Sequence, residues 1–75
     1  MAQLMVYNAE GRLAGKVKNR FTSYGFIRAG GKDYFYHKSQ VLDGYFDLIG
    51  PGMEVEFSPD DNCHKGPQAF RVLPL

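Results

Sequence analysis

Apolar residues recur along this chain in short alternating runs rather than at helical spacing. Residues 16–18 place a valine between two lysines, residues 53–57 read Met-Glu-Val-Glu-Phe, and residues 69–73 read Ala-Phe-Arg-Val-Leu. Period two sends successive side chains to opposite faces of an extended strand, so each run predicts a half-buried strand. Residues 24–28 (Tyr-Gly-Phe-Ile-Arg) and 33–37 (Asp-Tyr-Phe-Tyr-His) add two more, both dense in rings. Gly and Pro punctuate the intervals at Gly11, Gly15, Gly30-Gly31, Gly44, Gly50-Pro51-Gly52 and Gly66-Pro67. No stretch keeps a helical period beyond about two turns. Residues 39–42 predict a single helical or 3-10 turn before the long connection through Gly44-Tyr45-Phe46. Five short strands separated by turn signals predict an all-β chain closed as a barrel.

The two aromatic runs carry more information than the rest. Joined as an antiparallel hairpin through a four-residue loop, Ala29-Gly30-Gly31-Lys32, they set Arg28 opposite Asp33, Phe26 opposite Phe35 and Tyr24 opposite His37. Those four rings then share one face. Ile27, Tyr34 and Tyr36 point to the other side, with Tyr36 over Gly25. One face offers flat stacking surfaces and the other feeds a core, the division a reader of unpaired bases needs. A register slipped by one residue would instead bury Tyr24, Phe26 and Phe35, put His37 on the core side and leave Tyr34 and Tyr36 in water. The predicted fold class is all-β: a five-stranded antiparallel Greek-key barrel of the OB type. Residues 1–12 form an N-terminal extension containing Leu4-Met5-Val6-Tyr7, read either as an extra strand or as a cap on the barrel bottom. Residues 13–75 form the domain.

Size and charge sharpen this picture. A chain of 75 residues buries only about 60% of its unfolded surface, so the core is thin. No apolar run approaches the roughly 20 residues needed to span a bilayer. The N-terminus lacks a basic stretch followed by an apolar block. Cys63 is the one cysteine, which excludes an internal disulfide and suits a reducing, cytoplasmic setting. Net charge is +1, but residues 1–38 hold seven Lys and Arg against two carboxylates, and residues 39–75 hold two against six. Cations thus accompany the aromatic hairpin in sequence, as a phosphate backbone requires. Catalysis is not expected. Cys63 and His64 are adjacent and diverge on an extended segment, and His37 with Cys63 and His64 makes no zinc spacing. Asp60-Asp61 lies in a polar turn, and Gly30-Gly31 is too short to cradle phosphate. No cofactor or metal is implied.

Several of these runs resemble a known family. Gly15-Lys16-Val17-Lys18, Tyr24-Gly25-Phe26-Ile27, Lys32-Asp33-Tyr34-Phe35-Tyr36-His37-Lys38-Ser39, Gly52-Met53-Glu54-Val55-Glu56-Phe57 and Lys65-Gly66-Pro67-Gln68-Ala69 together resemble a cold-shock domain, in order, over residues 13–75. The resemblance implies a five-stranded barrel that binds single-stranded RNA or DNA, often as an RNA chaperone, with bases stacked on exposed rings. Carried over by position, those rings are Tyr24, Phe26, Phe35 and His37, with Phe46 as a further platform in the following loop. Lys16, Lys18 and Lys38 are the implied phosphate contacts, and Arg20 and Arg28 are weaker candidates. The chain also departs from the family pattern. Asn19 stands where bacterial members carry tryptophan, and the Gly15–Tyr24 connection is two residues shorter. Thr22 and Ser23 precede the aromatic pair, and Lys38 replaces a ring. Phe21 is an alternative source of the missing platform. Loss of two rings corresponds to about 10- to 1,000-fold in affinity.

Each site residue has a structural alternative. Tyr24, Phe26, Phe35 and Phe46 could serve as core rings, His37 as a structural histidine, and the lysines as solvated surface. A second function is a protein-interaction module on the same barrel, using residues 4–7 as an edge strand. A monomer is expected, with a strand-exchanged or N-terminal-strand dimer as the alternative. No membrane partner is expected.

Overall fold

A computed structural model describes residues 11–75 of the chain, apart from the side chain of Asp43. The expected extra strand at residues 4–7 lies outside the described residues. Five strands form: β1 (Leu13–Arg20), β2 (Tyr24–Ala29), β3 (Lys32–His37), β4 (Glu54–Asp60) and β5 (Gln68–Pro74). Two 3-10 segments, Lys38–Gln40 and Leu42–Asp47, link β3 to β4. The strands close a barrel in the order β1-β2-β3-β5-β4. The all-β, OB-type architecture predicted above is the one observed. One pairing differs from the expectation: β3 meets β5 in parallel, at Phe35 and Gln68, because closure needs the first half of β5 to run alongside β3.

The β2–β3 hairpin has the expected register, with Tyr24 opposite His37, Gly25 opposite Tyr36, Phe26 opposite Phe35 and Arg28 opposite Asp33. Its loop is shorter than expected. Ala29 pairs with Lys32, so only Gly30 and Gly31 turn, at φ of 60° and 81°. Two successive positive φ values match the twist of a two-residue hairpin and call for glycine.

Alternation decides what lies inside. Ile27 on β2, Tyr34 and Tyr36 on β3, Val55 and Phe57 on β4, and Val72 on β5 are all buried. Each such side chain contributes about 1.5–3 kcal/mol through burial. Gly25 has no room for a side chain: a Cβ there would meet the Asn19 carbonyl and the Tyr36 hydroxyl. That glycine lets Tyr36 cross to the core.

The buried Arg12, just before β1, ties the chain to the neighbouring β4 and to β5 beyond it. Its Nη2 donates to the carbonyls of Arg71 (2.6 Å) and Glu56 (3.1 Å), and its Nη1 to Ser58 Oγ (3.3 Å). Arg71 holds a positive φ of 55°, a conformation that costs a non-glycine residue about 1–2 kcal/mol. The Arg12 guanidinium holds its carbonyl in place beside the β4 bulge between Glu56 and Ser58.

Candidate nucleic-acid interface

The outward side chains of the hairpin gather into one aromatic patch. Tyr24 and Phe35 lie nearly parallel with ring centroids 5.5 Å apart, and Phe26 stands edge-on to both at 6.2 and 5.8 Å. The β1–β2 turn adds a fourth ring, Phe21, 5.0 Å from Tyr24. His37 ends the row. Its Nδ1 accepts from the Ser39 backbone N–H (3.0 Å) and lies 2.9 Å from Ser39 Oγ. With Nδ1 accepting, the neutral ring carries its proton on Nε2, so this exposed imidazole offers a donor to solvent.

The β4–β5 loop completes the surface. The Phe35 N–H donates to the Pro67 carbonyl at 3.0 Å, which brings Lys65 and Gln68 beside the rings. Phe26, Phe35, Lys65 and Gln68 line a cleft of about 360 Å3. Asp61 anchors the loop. The Tyr34 hydroxyl, then Lys32 at 3.2 Å, hold its carboxyl below the usual range.

Charge in space differs from charge in sequence. Lys18 and Arg28 both pair with Asp33, at 2.8 and 3.2 Å. The hydrogen bond from Lys18 comes first among the causes that depress the Asp33 carboxyl. Arg20 pairs with Asp47 at 3.6 Å. Acidic residues of the second half thus partly offset the basic first half. Lys38 and Lys65 have no carboxylate within 4.0 Å among the described residues.

The sequence profile of the "'Cold-shock' DNA-binding domain" matches residues 13–75. The chain belongs to the cold-shock domain family. Its members are nucleic-acid-binding modules, not an enzyme family. Among solved structures, this cold-shock domain is similar to Drosophila Unr CSD456, at 29% identity and a TM-score of 0.70 over 85% of its length. It spans 26% of that chain, about a quarter of the protein it matches. No curated protein sequence matches it significantly.

The barrel of this cold-shock domain brings together Tyr24, Phe26, Phe35 and His37, with Lys18 beside them and Lys38 next to the β1–β2 turn. It separates two residues the sequence grouped with them. Phe46 was expected as an exposed loop platform; its ring is only 2% exposed. The 3-10 segment Leu42–Asp47 rolls it inward against Tyr36, at 6.0 Å, beneath Arg20 at 5.3 Å and Lys38 at 6.0 Å. A buried ring presents cations where a platform was expected. Lys16 lies farther along β1, in a different depression with Arg28, Glu54 and Leu75.

A bulge between Val17 and Asn19 inserts Lys18 as the extra residue, and the Asn19 carbonyl accepts from the Tyr36 hydroxyl at 3.5 Å. Lys65 and Gln68 escaped sequence reasoning as site residues. Their signal was the Gly66-Pro67 turn, which says that the chain bends there but not what it bends toward.

Proposed function

We propose that this cold-shock domain holds single-stranded nucleic acid, RNA in the cell, by stacking unpaired bases on Tyr24, Phe26, Phe35 and His37. Lys18, Lys38 and Lys65 contact the phosphates. The action is passive and RNA-chaperone-like: a strand whose bases lie on rings is kept from pairing with itself. Sequence preference is weak, because every base has a π-face. The observation that carries this reading is the shared outer face of Tyr24, Phe26 and Phe35, with centroids within 6.2 Å of one another.

The deciding experiment is a fluorescence-anisotropy titration of labelled oligo-U and oligo-dT heptamers at two salt concentrations, with wild type and Phe35→Ala in parallel. Salt-sensitive binding that falls about 5- to 100-fold in the variant is expected. A folded wild type that binds neither oligonucleotide at about 100 μM, a threshold corresponding to roughly 5–6 kcal/mol, sinks the proposal. The competing reading, a protein-interaction module, draws on Asp33's pairing with two of the face's cations. It predicts a partner whose binding is lost on deletion of residues 1–10 and unaffected by Phe35→Ala.

A further inference from the structure

We propose that Asp61 is a positioning residue: it clasps the β4–β5 loop to β3 and so fixes Lys65 at the ring cleft before a strand arrives. This rests on the nucleic-acid reading of the ring face. It gives a part in binding to a carboxylate that touches no base and to a tyrosine buried in the core.

The loop is fastened to β3 at both ends. Asp61, the first residue after β4, accepts from the Tyr34 hydroxyl and pairs with Lys32 Nζ at 3.2 Å. At the far end the Pro67 carbonyl accepts from the Phe35 N–H at 3.0 Å. Between these anchors the chain makes turns of its own. The Asn62 N–H donates to Asp60 Oδ1 at 3.0 Å, and the Gly66 N–H donates to the Cys63 carbonyl at 2.9 Å. Lys65 sits inside the second turn and lines the cleft with Phe26, Phe35 and Gln68. Phe35 is itself on β3, so one strand holds both the ring and the loop that carries the lysine.

The clasp is rooted in the core. An exposed ion pair such as Lys32–Asp61 contributes little by itself. Tyr34, however, is only 2% exposed and packs against Phe57 at 5.0 Å. Its hydroxyl is already fixed, so holding Asp61 costs little further side-chain freedom. Lys65 has no carboxylate within 4.0 Å among the described residues, whereas Lys18 and Arg28 are both held by Asp33. Lys65 therefore meets a phosphate without giving up an ion pair, and a loop fixed in advance spares the cost of ordering it on binding.

The test is a double-mutant cycle read by anisotropy of a labelled oligo-dT heptamer. In the wild-type background, Lys65→Ala is expected to lower the salt slope by about 0.7, the share of one phosphate. That makes its cost about fivefold greater at roughly 0.1 M salt than at 1 M. In the Asp61→Ala background the same substitution is expected to cost less than about twofold, because the lysine is no longer held at the cleft. Release of Lys32 by Asp61→Ala enters both arms of the cycle alike and cancels. Tyr34→Phe alters no charge and keeps the core ring, yet it too is expected to lower the salt slope. A merely structural role would move the urea midpoint and leave the slope of the folded protein as it was. The clasp is overturned if Lys65→Ala costs as much in Asp61→Ala as in wild type, if it costs nothing in wild type, or if Tyr34→Phe keeps the wild-type slope. In each of these outcomes, loss of binding in Phe35→Ala still upholds the ring face itself, whereas a wild type that binds nothing brings down both.

Discussion

Asp33 is the residue that most sets the character of the face. It sits where Phe26, Phe35 and the hairpin turn meet, and it draws Lys18 and Arg28 to itself. A phosphate must compete with that carboxylate for both cations. Asp33→Asn is therefore expected to raise affinity for oligo-dT at low salt. It should also steepen the slope of log affinity against log salt by about 0.7 for each cation that takes up a phosphate. An unchanged slope would mean that neither cation reaches the strand. Arg12 matters for stability rather than binding. Arg12→Met leaves the Arg71 and Glu56 carbonyls without their guanidinium donor, a loss of about 1–3 kcal/mol. Urea denaturation reads it directly, and oligonucleotide affinity measured on the folded fraction should not move.

Among the elements, the β2–β3 hairpin does most of the organising. One strand pair supplies three rings and the imidazole outward and three large side chains inward, and its two-residue Gly30-Gly31 turn sets the register that separates them. The arrangement depends on Gly25, where Tyr36 passes under β2. Gly25→Ala drives a methyl group into the Asn19 carbonyl and the Tyr36 hydroxyl. A cost of about 1–3 kcal/mol is expected for such overpacking. A denaturation midpoint equal to wild type would show that Tyr36 can shift aside freely. The β1–β2 turn is the complementary element. It holds Phe21 against Tyr24, with ring centroids 5.0 Å apart.

For the whole molecule, charge pairing across the barrel sets the pH response. Asp33 and Asp61 titrate below the ordinary carboxylate range when folded, held there chiefly by hydrogen bonds from Lys18 and from the Tyr34 hydroxyl. Depressed carboxylates stabilise the fold above the unfolded-state value of about 3.9. That contribution is lost as pH falls from there through the lowered folded values. The urea midpoint is expected to fall as pH drops below about 4. The loss should be smaller in an Asp33→Asn, Asp61→Asn double variant; equal acid sensitivity in the two proteins would assign the effect to other groups.

The strands, the hairpin register and the two faces of the hairpin were legible in the sequence, because period-two alternation and a Gly-Gly turn are local signals that a strand obeys wherever it packs. Tyr24, Phe26, Phe35 and His37 come together for that reason alone. What only the tertiary structure decided involves residues far apart in the chain. Phe46 looks like a loop ring in sequence and is buried because the 3-10 segment has to close one end of the barrel over Tyr36. Lys65 and Gln68 join the rings because the parallel contact between β3 and β5 closes the barrel beside Phe35. The basic half of the sequence is tempered by acids from elsewhere, because a barrel this small sets its strands side by side whatever their charge. Local alternation tells a side chain which way to face; only closure of the barrel determines what it will face.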